Sequence, residues 1–131
     1  MIRFLFLQMH IYSFEKLEVW QDSRNLVRQI YAITAKFPIE EKFGIISQVR
    51  RSAVSVSCNI SEGSGRRSKK DQAQFYRIAF GSTLETLNLL ILSADLEFIS
   101  IDQLKEMRIL IEKISNKLNR LIESLSKQIN E

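Results

Sequence analysis

The chain has 131 residues, a formal net charge of +4, one cysteine, one proline and four glycines. This length is enough for one domain with one core, and the shortage of turn residues excludes an all-β fold with many hairpins. The single Cys58 cannot form an internal disulfide, which indicates a reducing compartment, the cytoplasm. No run of about 18 apolar residues occurs, so the sequence predicts no membrane span.

The first twelve residues precede the regular apolar pattern. They begin MIRFLFLQ, which resembles a signal peptide, but the apolar run is too short and no small-residue cleavage site follows it. We therefore expect residues 1–12 to form a loosely ordered arm and residues 13–131 to form a single domain.

Apolar residues that recur at three- and four-residue steps predict four helices and no strand. The first helix spans about Phe14 to Phe37 and is broken by Pro38, because the residue before a proline disfavours helix. The second spans about Ile39 to Glu62. The Gly63-Ser64-Gly65 triplet ends it, since glycine tolerates the left-handed conformation that is common at helix ends.

The third helix spans about Ser68 to Leu96, with Ser68 as N-cap and Asp71 where a capping box places its acid. The fourth runs from Ile101 to about Gln128, and its apolar residues follow the spacing of a bundle seam. Four long helices joined by short loops predict an all-α fold, an antiparallel up-down-up-down four-helix bundle.

Polar residues form a line along one face of the second helix, and the third helix carries others in similar register. Such a line is ordinarily solvated surface; the alternative is a hydrogen-bonded seam between helices or subunits. Small polar residue types favour the seam, as does Gly81, because a mid-helix glycine costs roughly 1 kcal/mol relative to alanine and indicates close backbone approach. We expect Arg51 to pair with Glu62 or Glu85. The predicted seam and assembly residues are Gln48, Arg51, Ser55, Asn59, Glu62, Gly81, Ser82 and Glu85.

Positive charge is concentrated between residues 50 and 77, which hold seven Lys/Arg and two acids, so this segment is +5 and the remainder is −1. The loop within this segment, residues 63–67, leads into the N-terminus of the third helix, where free N–H groups and the helix dipole favour an anion. These features predict a nucleic-acid or phosphate site; the alternative is a loop whose charges only flank a turn. The predicted binding residues, with Tyr76 stacking on bases, are Arg50, Arg66, Arg67, Lys69, Lys70, Tyr76 and Arg77.

Residues suited to catalysis or metal binding are scarce in this sequence. His10 is the only histidine and precedes the helical pattern, so the domain has no Ser-His-Asp set and no His/Cys cluster. A lone cysteine in a helical pattern, such as Cys58, is most often a small buried residue. We expect no enzymatic activity, no metal and no cofactor.

Several separated motifs follow one another along the chain: Phe14-Glu15-Lys16-Leu17-Glu18-Val19-Trp20, Phe37-Pro38 with Glu41, Gln48-Val49-Arg50-Arg51-Ser52, Asn59-Ile60-Ser61-Glu62-Gly63, Arg66-Arg67-Ser68 and Ala79-Phe80-Gly81-Ser82. These motifs resemble a bacterial family of four-helix-bundle proteins encoded in intervening sequences of 23S ribosomal RNA genes. The resemblance covers about Phe14 to Ile99, and the fourth helix matches in pattern only. Two positions depart from the family: Ser61 stands where alanine is usual, and Phe80 where arginine is common, which removes a positive charge near the basic segment.

The resemblance implies a homo-oligomeric ring, with a pentamer as its expected form, and it implies no catalytic residues. It also implies an architecture similar to the accessory proteins of diversity-generating retroelements, which are basic bundle rings that act with a reverse transcriptase and RNA. Two functions follow as hypotheses: a ring that binds RNA or DNA through its basic loops, and an adaptor that binds a partner protein and no nucleic acid.

Overall fold

A computed structural model of the chain describes residues 9–130, and four long helices account for most of them. The helices are α1 (Glu18–Thr34), α2 (Ile45–Ser64), α3 (Lys69–Asp95) and α4 (Ile101–Ile129). Two short 3-10 turns, Ser13–Lys16 and Ile39–Glu41, precede α1 and α2. No strand occurs within residues 9–130, so the prediction of an all-α fold is confirmed.

Contacts between helices show that the bundle is antiparallel throughout. Each helix packs on the next one along the chain, and α4 packs back on α1. Residues early in one helix meet residues late in its neighbour, which is the up-down-up-down arrangement predicted from the sequence. The pairs that establish this are Arg50 with Thr34, Ser52 with Thr86, Lys69 with Gln128, and Lys117 with Asp22.

Aliphatic side chains from all four helices fill the core. Burying one such side chain contributes about 1.5–3 kcal/mol, and this burial is the main force that holds the helices together. The largest of the fully buried aliphatic residues are Leu26, Ile30, Val49, Val56, Ile60, Leu90, Ile114 and Leu118.

Two helices begin later than the sequence predicts. Leu17 has an extended backbone (φ −73°, ψ 125°), so it separates the Ser13–Lys16 turn from α1. Helix α2 begins at Ile45 rather than Ile39, because Gly44 adopts a non-helical conformation (φ −105°, ψ −118°). The apolar pattern continues through both interruptions, which is why periodicity alone did not show them.

Aromatic rings connect the end of the predicted arm to α1. The rings of His10, Tyr12, Phe14 and Trp20 contact one another in succession, with centroid distances of 4.7, 6.4 and 5.1 Å. The Tyr12 amide N–H donates to the Glu15 carboxylate at 2.8 Å. The earlier part of that arm, residues 1–8, lies outside the described residues.

The end of α2 differs from its prediction. Gly63 lies inside the helix, and Gly65 caps it with φ −89°, so neither glycine is left-handed. The only positive φ among residues 9–130 belongs to Glu97 (64°), just after α3. There the Phe98 amide donates to the Ser93 carbonyl at 2.8 Å and the Glu97 amide to Ala94 at 3.0 Å, which is a Schellman motif.

Candidate nucleic-acid interface

Hydrogen bonds fix the segment that joins α2 to α3 and includes the first two residues of α3, which we call the basic turn (residues 65–70). The Asp71 amide donates to the Ser68 hydroxyl at 3.1 Å, as the N-cap prediction requires. The Gln72 side-chain amide donates to the Arg66 carbonyl at 2.8 Å. The turn is therefore held at both ends, and the four cations within it start from defined backbone positions.

All four cations of the basic turn, Arg66, Arg67, Lys69 and Lys70, are exposed. The Arg66 guanidinium donates to the Glu62 carboxylate at 3.0 Å and lies 4.5 Å from the centre of the Phe75 ring. The Lys69 ammonium donates to the side-chain oxygen of Gln128. Within residues 9–130, Arg67 and Lys70 have no hydrogen-bond or ion-pair partner. These two side chains are thus the most available for an anion.

Two other predicted cations fall in different places. Arg77 is exposed on α3 and lies seven residues after Lys70, so both point from the same helix face. Arg50 lies 15 residues before Gly65 in the chain, about 22 Å along the helix axis at 1.5 Å per residue. Arg77 therefore continues the cationic surface of the basic turn along α3, whereas Arg50 is separated from it.

Tyr76 cannot serve as the predicted base-stacking residue. Its side chain is only 5% exposed, and burial raises the pKa of its phenol. Its ring packs against Gly63 at the contact between α2 and α3. The aromatic ring that the basic turn does present is Phe75, which is half-buried beneath Arg66.

The predicted polar line contains a hydrogen-bonded seam between α2 and α3. The hydroxyls of Ser55 and Ser82 lie 2.9 Å apart, and the Asn59 side-chain amide donates to the Ser55 carbonyl at 2.8 Å. A second, fully buried pair, Ser52 and Thr86, lies 2.8 Å apart further along the same contact. Sequence reasoning missed the role of this pair, because both residues lie within the apolar stripes of their helices.

The remaining members of that line are on the outside of the bundle. Arg51 and Glu85 are exposed, and neither the Arg51–Glu85 nor the Arg51–Glu62 ion pair forms in the described chain, since Glu62 pairs with Arg66. Gln48 is exposed as well. Gly81 faces outward, and a Cβ built on it would meet no packed neighbour within 4 Å. The prediction that another backbone approaches Gly81 closely is therefore wrong for the single chain.

The family model described as 23S rRNA-intervening sequence protein matches residues 15–120 of this chain. The chain belongs to this family. The match covers most of the bundle and confirms the resemblance drawn from the separated motifs.

A solved structure shares the fold of this intervening-sequence protein. It is the 1.70 Å crystal structure of a protein with unknown function from the S23 ribosomal protein family of Bacteroides thetaiotaomicron VPI-5482. The two superpose with a TM-score of 0.72 at 24% identity, covering 79% of this chain and 97% of the other. No curated protein matches the sequence.

Other features of this family member bear on its chemistry. Cys58 is exposed on α2 rather than buried, because its position falls on the outer face of the helix. Within residues 9–130, no three His, Cys, Asp or Glu side chains are grouped closely enough to hold a metal ion. No helix in that range has the length and apolar content needed to cross a membrane.

Proposed function

We propose that the chain is a non-enzymatic, homo-oligomeric bundle protein that binds nucleic acid, RNA in preference to DNA, through the basic turn and the start of α3. The observation that carries this proposal is the placement of four exposed cations on one ordered turn. Of the two acids beside them, Glu62 is already paired with Arg66, and Asp71 lies in the first turn of α3.

The available cations of the basic turn suit phosphate contacts. Arg67 and Lys70 give up no partner in the described chain when they bind a phosphate, and Arg77 continues their surface along α3. Each contact releases counterions from the nucleic acid, so affinity falls steeply with salt and depends little on sequence. An oligomer repeats the turn on every subunit, which multiplies weak contacts by avidity.

The test is fluorescence anisotropy with labelled RNA and DNA oligomers across a salt series. Replacement of Arg66, Arg67, Lys69 and Lys70 by alanine should abolish binding and leave helicity and assembly unchanged. The matched control removes the same four charges from exposed positions of α4: Lys105, Arg108, Arg120 and Lys127. Equal losses in the two variants would mean that overall charge, and not the basic turn, attracts the nucleic acid.

An exposed apolar surface on α3 supports the homo-oligomer. Ile78, Leu84 and Leu92 are each more than 40% exposed, and Glu85 is the single charged residue between Ile78 and Ala94. Solvent-facing helix surfaces normally carry more charge than this. The family resemblance implies a ring of five, so light scattering should give about five times the chain mass of 15.3 kDa. A monomer in that measurement would contradict this part of the proposal.

The same apolar surface favours a second candidate, an adaptor that docks a partner protein and binds no nucleic acid. An assembled oligomer that binds neither RNA nor DNA at low salt would select this candidate. In either case we place the protein in the cytoplasm, since its one cysteine has no partner in the chain for a disulfide.

A further inference from the structure

A second cationic surface lies at the other end of α2. There a groove of about 470 Å³ opens between the last turns of α1 and the first turns of α2. Two aromatic and three cationic side chains line it, namely Tyr31, Phe43, Lys42, Arg50 and Arg51. No acidic side chain from the described part of the chain lines it, and the nearby Glu41 carboxylate lies beside Gly44, outside the lining.

Phe43 is the most exposed of these side chains. It lies just before α2 and is 89% exposed, although a phenylalanine is ordinarily buried. The Lys42 ammonium lies 5.5 Å from the centre of its ring. Tyr31, on α1, is 45% exposed at the same groove. The groove therefore offers aromatic surface to a planar ligand with a cation beside it.

Arg50 is held in place at the wall of this groove. Its Nε–H donates to the Thr34 hydroxyl at 2.9 Å, and its guanidinium lies 4.4 Å from the centre of the Tyr31 ring. Its terminal Nη groups have no partner among residues 9–130. A fixed guanidinium with free donors loses little entropy when it binds a phosphate, and its plane can also stack on a base.

We propose that this groove binds single-stranded nucleic acid, with an unpaired base stacked on Phe43 and the adjoining phosphates held by Lys42, Arg50 and Arg51. Aromatic rings beside cations are the elements that bind single strands with little sequence preference. A duplex keeps its bases stacked on one another and cannot use the ring. This inference deepens the proposed function and rests on it for the class of ligand, but it uses residues about 22 Å from the basic turn.

The experiment compares a short single-stranded RNA with an RNA duplex of the same length, both labelled for anisotropy. Phe43→Leu keeps an apolar side chain and removes the ring, so it should weaken the single strand about tenfold and leave the duplex unchanged. Phe43→Trp keeps a ring and should retain binding. Ile109→Ala, which changes another highly exposed apolar residue on α4 (70%), is the matched control and should change neither affinity.

The outcomes separate the groove from the basic turn. If the alanine variant of the basic turn weakens both probes while Phe43→Leu changes neither, the groove proposal is overturned and the proposed function stands. If Phe43→Leu alone weakens the single strand, the groove stands and the basic turn loses its role. If wild-type protein binds neither probe at low salt, both proposals fail.

Three further readouts test what occupies the groove. Single-stranded RNA should quench the fluorescence of Phe43→Trp more than that of the wild type, which has Trp20 alone. Polyglutamate has no bases to stack, so labelled polyglutamate should bind the wild type and Phe43→Leu with equal affinity. A loss as large as that of the single strand would assign the groove to acidic peptides and overturn the proposal. If light scattering shows that Phe43→Leu changes the subunit number, the Phe43 ring lies at a subunit interface, and the groove proposal is overturned.

Discussion

Gly63 on α2 lies against the ring of Tyr76 on α3, so closely that a Cβ on Gly63 would approach the ring carbon Cε1 to 2.9 Å. The same Cβ would lie 3.0 Å from Cβ of Phe75. Both neighbours belong to the helix that follows the basic turn. The missing side chain at position 63 therefore sets how closely α2 and α3 approach at the point where the turn begins.

Gly63→Ala should destabilise the protein. A methyl group in this contact forces the helices apart, and overpacking costs about 1–3 kcal/mol, while alanine at a helical position recovers about 1 kcal/mol. We expect a net loss of about 1 kcal/mol and a Tm lower by a few degrees. Tyr76→Leu removes the ring, so adding Gly63→Ala in that background should cost less. A single Gly63→Ala variant as stable as the wild type would refute the contact.

Gly81→Ala should have the opposite effect. Gly81 lies in the interior of α3 with an outward-facing Cα, and a Cβ there meets no packed neighbour in the single chain. Replacing a mid-helix glycine by alanine should stabilise the fold by up to about 1 kcal/mol. Urea denaturation at several protein concentrations checks this. A concentration-dependent loss of stability would instead show that another copy of the chain packs on Gly81.

These two glycines show what the sequence could and could not predict. Periodicity predicts each helix and its apolar stripe, because those depend on local spacing. Which glycine lies at a helix contact depends on the rotation of two helices about their axes. Within the single chain the close approach is at Gly63, whereas the sequence assigned it to Gly81. The same limit applies to Tyr76, which the sequence assigned to base stacking and the structure buries against Gly63.

The candidate site was predicted unevenly for a related reason. Neighbours in sequence such as Arg66, Arg67, Lys69 and Lys70 stay together on one turn in the fold, so charge counting found them. Arg50 was grouped with them because it falls within the basic segment of residues 50–77. The length of α2 nevertheless places it at the opposite end of the bundle. The groove around Phe43 joins residues from α1 and α2, and no linear pattern predicts that combination.

Glu97→Gly should stabilise the connection between α3 and α4. Glu97 adopts φ 64° in the Schellman motif, and the left-handed region costs a residue with a β-carbon about 1–2 kcal/mol. Glycine removes that cost but gains freedom in the unfolded chain, so the expected net gain is about 0.5–1 kcal/mol by thermal denaturation. Glu97→Ala keeps the β-carbon and should change little, which separates backbone relief from loss of the carboxylate.

Lys117 joins α4 to α1 through two carboxylates, and its ion pairs make stability depend on pH. Its ammonium lies 2.7 Å from the Asp22 carboxylate and 3.2 Å from that of Glu18, with Lys117 21% and Asp22 15% exposed. The hydrogen bond to Asp22 raises the pKa of Lys117 above the ordinary value of 10.5, and this outweighs the lowering by partial burial. The charged form is thus favoured in the folded state.

Lys117→Met should lower the free energy of unfolding by about 1 kcal/mol at neutral pH, since methionine keeps the apolar stem and loses the charge. Because the folded-state pKa lies above the unfolded one, the contribution is fully present below about pH 10.5 and disappears as pH rises through the folded-state value. Urea denaturation of both proteins at about pH 9 and about pH 11.5 measures it. Lys105→Met, at an exposed position of α4, should show no such difference. A Lys117→Met deficit of equal size at both pH values would assign the effect to packing and not to the ion pairs.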